Sequence, residues 1–333
     1  MTDELLARCE LFAVNLEIMR ESFKWEASQL YSLCANIYTK EGIKLNSEKI
    51  KEAKEIIKNN TSFFSNFRSV NITIPLATLL SMEKHPKQTF AQVSYVYTIL
   101  KEVFSSSAYL VLAAYKIVKS AAQEDYKEIV NQTRIIFDMI KREHFFLTSS
   151  EDCLTAVQFA LCQKDCSAII SKSEECFEIL KPELNHGNTV QAISNTLAFS
   201  DKSSLELTDR TLNIINRLKE HGYKLTSGVE LSLFSALAIS NTDCDQIIND
   251  ILEVTAYLLT VKGFGNVLTE SKLMDQKLLP KRRLINSAYI VLNEYTRLAE
   301  SSSELTQDEI KAIMFAESTA AFNIIISSSP SNV

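Results

Sequence analysis

Five stretches of this chain carry the same stripe of residues, and that stripe limits the possible folds more than any other feature. Thr89, Val93, Val96, Tyr97 and Leu100 stand at positions i, i+4, i+7, i+8 and i+11. The same spacing fits Ile129, Thr133, Ile136, Phe137 and Ile140, and then Ile169, Ser173, Cys176, Phe177 and Leu180. It fits again at Leu207, Thr211, Ile214, Ile215 and Leu218, and at Ile247, Ile251, Val254, Thr255 and Leu258. At 3.6 residues per turn these positions fall on one side of an α-helix. The last column, Leu100, Ile140, Leu180, Leu218 and Leu258, advances by 40, 40, 38 and 40 residues. A period of about 40 residues is the mark of stacked helical hairpins.

Between the striped stretches lie shorter segments dense in Ala, Leu and Ser: 70–80, 109–118, 153–161, 190–197 and 231–239. They read as helices packed on two sides between neighbouring units. The expected fold is therefore all-α, an α-α superhelix of about seven stacked hairpins, either an open arc or a closed ring. Only 6 Gly and 5 Pro in 333 residues suit short connections and few breaks. The organisation reads as one continuous domain: N-terminal helices over 1–60, a repeat core over 61–262, and C-terminal helices over 263–333.

Local signals place the ends. Gly42 ends the second helix, and Ser47 is the expected N-cap of the third. Ser105, Ser149, Asn188, Ser227 and Asn266 precede the two-sided helices, while Lys101, Lys141, Lys181, Lys219 and Lys262 close the striped ones, as capping and the helix dipole favour. Gly263-Phe264-Gly265-Asn266 reads as a glycine C-cap and turn. A longer connection over 267–280 is expected before a helix from Lys281 to Ala299. Thr306-x-x-Glu309 is a capping box for the last helix.

The net charge of −6 lacks the basic face that nucleic acid requires. Charged residues at Asp3, Glu4, Arg8 and Glu10 argue against a signal peptide. The apolar run at 72–80 contains Pro75 and is far shorter than the roughly 20 residues that span a bilayer. The expectation is a cytoplasmic protein with no membrane and no nucleic-acid partner. In that compartment the seven cysteines read as reduced thiols.

Several segments together resemble a bacterial family known as domain of unknown function 4003. They are Phe23-Lys24-Trp25-Glu26, FFSNFR at 63–68, SSAYLVLAAY at 106–115, HFFLTS at 144–149, GNTVQAISNTL at 187–197 and KGFGN at 262–266. The resemblance covers residues 11–295 and implies a cytosolic protein of low-GC Gram-positive bacteria with no established activity. It departs from the family pattern after Asn266, where Arg283-Leu284 comes several residues late.

No nucleophile elbow, P-loop, HExxH, zinc knuckle, GxGxxG or DDxxD occurs. His144, Cys153, Cys162 and Cys166 are the closest approach to a metal set, and small buried hydrophobes are the expected role of these cysteines. No metal and no cofactor is expected. His144, His186 and His221 fall in successive inter-repeat turns, close in sequence to Glu143, Glu183 and Glu220. Such turns could offer an imidazole and a carboxylate for acid/base chemistry, or simply be solvated. Arg68 is either a structural residue or an anion contact. Asn266 begins a segment whose backbone amides could meet an anion. The candidate binding residues are thus Arg68, Glu143, His144, His186, His221 and Asn266, with no catalytic residue named. The leading reading is a non-enzymatic binding or scaffold module for a protein or peptide. The alternative is an enzyme or small-ligand protein with its site among the His-bearing turns.

Overall fold

The computed structural model describes the chain except residues 25, 27–29, 263, 265–272 and 328–333, and describes 273–279 by their backbone alone. Gly263, Gly265 and Asn266 of the expected glycine turn, and the final segment after Ser327, lie outside the described residues. Helix, α and 3-10 together, makes up 76% of the described residues. Among the described residues there are fifteen α-helices and no strand.

The helices are α1 (Asp3–Ser22), α2 (Tyr31–Lys40), α3 (Ser47–Asn59), α4 (Val70–Leu80), α5 (Pro86–Val103), α6 (Tyr109–Ser120), α7 (Tyr126–Glu143) and α8 (Cys153–Leu161). They continue with α9 (Cys166–Leu180), α10 (Gly187–Leu197), α11 (Ser204–Glu220), α12 (Ser232–Ile239), α13 (Cys244–Leu258), α14 (Leu273–Glu300) and α15 (Gln307–Ser327). The five stripes fall in α5, α7, α9, α11 and α13, and every stripe residue is buried except Tyr97 and Ile129, which are half-buried. The interleaved helices are buried on more sides, most fully in α12, where every residue is buried, and over 189–197 of α10. Periodicity thus reports burial on one side for the striped set.

The ends follow cap chemistry, with shifts from the expected residues. Gly42 adopts φ +68°, a conformation glycine tolerates, and its amide closes on the Thr39 carbonyl to end α2. The N-cap of α3 is Asn46, not Ser47: its Oδ1 accepts from the Lys49 amide at 3.1 Å. Ser149 caps the 3-10 turn before α8, but Asn188 lies inside α10, whose N-cap is His186. Lys181 and Lys262 fall beyond the ends of α9 and α13, so no cation occupies those last turns. The capping box at Thr306 forms, with Thr306 N to Glu309 Oε2 at 2.8 Å and Glu309 N to Thr306 Oγ1 at 3.2 Å. The expected connection over 267–280 is helical from Leu273, so α14 starts eight residues earlier than Lys281. Pro280 removes one intrahelical hydrogen bond there without ending the helix.

The chain divides into two compact units, each built from separated segments. One contains Ile18–Ile37 and Leu45–Ile170. In it α3 pairs with α4, α5 with α6 and α7 with α8. Helices α3, α5 and α7 lie side by side in one row, and α4, α6 and α8 in another.

The other unit contains Met1–Glu17, Tyr38–Lys44 and Ser171–Ser327. Here α11 packs on α12 and α13 on α14, and α15 folds back to cover α10 and α12 as well as its hairpin partner α14. In a simple repeat each hairpin meets only its neighbours, and α15 departs from that rule because almost no side of it is polar. It is long and apolar enough to cross a membrane by length and composition, yet 61% of that window is buried and it holds the buried Glu317. Glu317 pairs with Lys40 at 2.7 Å. Arg8 of α1 meets Glu294 of α14, which Arg297 also grips.

Candidate binding edge

Each short connection in the unit around α3–α8 reverses the chain, so α3, α5 and α7 run in the same direction. The connections that follow them, 60–69, 104–108 and 144–152, leave from the same end. Side chains tie the first two together: Asn66 Nδ2 donates to Tyr97 Oη at 2.8 Å and to Ser106 Oγ at 2.9 Å, and the two hydroxyls are 3.1 Å apart. Arg134 of α7 donates to the Val103 carbonyl at 3.0 Å, while its guanidinium lies over the rings of Phe104 and Phe137. Beneath the edge runs an aromatic layer. Phe67 is buried against Phe90 and Tyr97, and Phe104 meets Phe137 edge-to-face at 5.2 Å.

Above that layer two phenylalanine pairs stand in water. Phe63 and Phe64 are 76% and 94% exposed, and Phe145 and Phe146 are 62% and 96% exposed. Each pair meets edge-to-face, at 5.2 and 5.4 Å, the arrangement that ring quadrupoles favour. Lys141 extends over the Phe145 ring. Of the three phenylalanines in FFSNF, only Phe67 is buried.

Arg68 serves the backbone at this edge. Its Nε donates to Thr61 Oγ1 at 3.0 Å, and Nη2 donates to the carbonyls of Thr61 and Lys58. It places a cation at the C-terminal end of α3, where the dipole welcomes one.

Glu143 is the exposed last residue of α7, and His144 follows as its C-cap, half-buried, with its amide on the Ile140 carbonyl at 2.9 Å. The same connection holds a group that sequence reading passed over. Asp152 accepts from the Ser149 amide at 2.7 Å in a capping box. Burial pushes its carboxyl up to about 7; the Glu151 charge adds to this, while the Ser149 amide and nearby His144 oppose it. Glu151 is raised as well, mainly by burial. The Ser149-x-x-Asp152 spacing was the available signal for the turn. The burial that shifts the carboxyl left none.

His186 and His221 belong to the other unit. His186 is the exposed N-cap of α10, its carbonyl accepting from the Thr189 and Val190 amides at 3.0 Å. His221 is exposed just past α11, with its amide on Arg217 O at 3.2 Å. Glu143 and His144 therefore share a connection with Asp152, while His186 and His221 each cap a helix end elsewhere. Among the described residues no group of three or more His, Cys, Asp or Glu is placed to hold a metal ion. Cys153 is buried, Cys162 and Cys166 are half-buried, and none of the seven cysteines is in a disulfide.

Comparison with known proteins adds kinship without activity. A family model described as a protein of unknown function, DUF4003, matches residues 15–318. An uncharacterised protein, YeaA of Bacillus subtilis (strain 168), is 23% identical over 195 residues, which cover 57% of this chain and 59% of that protein. The chain therefore spans under two thirds of the length of the curated relative it matches. No solved structure matches.

Proposed function

Since the chain belongs to the DUF4003 family, whose members carry no assigned activity, we propose from its own surface that it is a non-catalytic binding module. In this reading the hairpins of each unit stack as repeats of an α-α superhelix, and the working surface is the edge at the ends of α3, α5 and α7. One observation carries it: two phenylalanine pairs exposed to water after α3 and α7, at the same end of one row of helices. Exposed aromatic clusters of this kind mark interaction sites. The proposed place of action is the cytoplasm, which the seven thiols suit.

The test is a variant carrying Phe63→Ser, Phe64→Ser, Phe145→Ser and Phe146→Ser. Crosslinking of the tagged protein in native lysate should recover a component, protein or lipid, that the variant fails to recover while its circular dichroism and melting stay unchanged. Identical recovery by both would end this reading.

A second reading keeps one specific support. Asp152, raised to about 7 beside His144, has the character of an acid/base group. A small-ligand or enzymatic site there predicts that some metabolite in a thermal-shift panel stabilises the protein, that Asp152→Asn abolishes the effect, and that the phenylalanine variant retains it.

A further inference from the structure

The shape and size of the edge narrow what it meets. Helix axes in contact lie about 8–10 Å apart, and the two phenylalanine pairs follow α3 and α7, with α5 between them. The axes of the helices that carry them are therefore about 16–20 Å apart, and between them lies the connection Phe104-Ser105-Ser106-Ser107-Ala108, whose one aromatic is buried. A phenylalanine offers on the order of 150–250 Å² of burial, so each pair offers a few hundred. A specific protein interface takes about 800 Å² from each partner as one packed patch. Each tip alone, at roughly 300–500 Å², falls short of that. A fluid layer sets no such requirement, because each tip can enter it independently.

The charges around the tips point the same way. Lys58, Lys101 and Arg142 are exposed at the ends of the three helices, and so are Glu55, Glu102 and Glu143, which nearly cancel them. Lys141 holds its ammonium over the Phe145 ring, a cation–π contact that lets the charge accompany the ring into the headgroup zone. Glu151 and Asp152 sit half-buried behind the second tip.

We infer that this edge docks on a lipid surface, with the Phe63–Phe64 and Phe145–Phe146 rings entering the interfacial zone as two separate anchors. The inference rests on the edge being the binding surface and names its occupant. The expectation of no membrane partner rested on the want of a spanning segment, and a protein that lies on a bilayer needs none. Because the exposed charges nearly cancel, the rings supply the attraction and salt has little effect.

The test is co-sedimentation of the purified full chain with sucrose-loaded vesicles, either phosphatidylcholine alone or mixed with one quarter phosphatidylglycerol. Binding to both is expected, changing less than about threefold between 0.1 and 0.5 M NaCl, since exposed balanced charges are screened without net loss. Phe63→Ser with Phe64→Ser, or Phe145→Ser with Phe146→Ser, should each lower partitioning at least about tenfold. Phe146→Trp should keep binding and shift its emission to the blue on vesicles, beyond any change from Trp25. Circular dichroism of each variant checks that it folds. If wild-type protein stays in the supernatant, the lipid inference fails; the binding reading then stands only if the fourfold variant still loses a protein partner in lysate. If vesicles bind the fourfold variant as well as wild type, this edge is not the contact. Binding only to the anionic vesicles, lost in 0.5 M NaCl, would also overturn the inference, since charge and not the rings would then be responsible.

Discussion

Arg8 and Glu294, 286 positions apart in sequence, form an ion pair whose side chains are 9% and 5% exposed. The Arg8 guanidinium also donates to the carbonyls of Thr39 and Lys40 at the end of α2. One side chain thus joins α1, α2 and α14 inside a single unit.

Removing Arg8 leaves the buried Glu294 carboxylate to Arg297 alone and takes a donor from the Thr39 and Lys40 carbonyls, so Arg8→Ala should cost about 2–3 kcal/mol in urea unfolding. Loss of under about 1 kcal/mol would show that the pair is solvated. The same pair sets an acid response. Burial raises the Glu294 carboxyl, but hydrogen bonds from Arg297 and Arg8 outweigh it and hold the group below its ordinary 4.5. A depressed folded value contributes stability that is present above the ordinary value and lost as pH falls through the folded one. Stability should therefore fall below about pH 4.5, and Glu294→Gln should flatten part of that fall.

Phe137 and Phe146 test the edge from two sides. Phe137 is 8% exposed and packs on Phe104, so Phe137→Ala should destabilise by about 3–5 kcal/mol. Phe146 is 96% exposed, and Phe146→Ala should stay within about 0.5 kcal/mol. Equal effects in denaturant unfolding would mean that the edge is packed differently.

Asp152 should make the protein weaker as pH rises. Its folded carboxyl stands near 7 against an ordinary 3.8. A raised folded value gives stability that is complete below about 3.8 and lost as pH rises through about 7. Asp152→Asn keeps an acceptor for the Ser149 amide, so urea midpoints measured from pH 4 to 8 should lose most of that slope. Glu151, also raised, should leave a smaller remainder. An unchanged slope would place Asp152 in water.

Thiol reagents should rank the cysteines by burial. Cys9 and Cys34 are pushed up to about 12 by burial, and Cys153 is raised further by the same cause. Thiolate is the reactive form, so these three should react only as the protein opens, while half-buried Cys162 and Cys166 react first. Early modification of Cys34 would contradict its placement.

The helices were legible because 3.6-residue spacing is imposed by the core itself, as at Leu207, Thr211, Ile214, Ile215 and Leu218, all fully buried. Caps were less so, because Ser47 and Asn46 are both good cap residues and only the backbone angles decide between them. The start of α14 was hidden by Pro280, which weighs against a helix locally but is tolerated inside a 28-residue one. The candidate edge was hardest to see. Nothing local separates Phe63, in water, from Phe67, in the core; the difference comes from α5, whose Phe90 and Tyr97 pack against Phe67. Arg68 was marked by its neighbours, yet whether it meets an anion or a backbone depends on where α3 ends.

The Arg8–Glu294 pair also bears on how the chain is made. Residues 45–170 form most of one unit as an unbroken segment and can fold as soon as they leave the ribosome. The other unit needs Met1–Glu17 to wait until α14 has been synthesised. Its first helix therefore spends most of translation without its partner, at a loop-closure cost that grows with the intervening length. In nascent chains stopped near residue 200, protease should spare 45–170 and cut within 3–17; protection of both would mean that α1 finds another partner first. For α1 the most exposed moment is synthesis, before α14 exists to receive it.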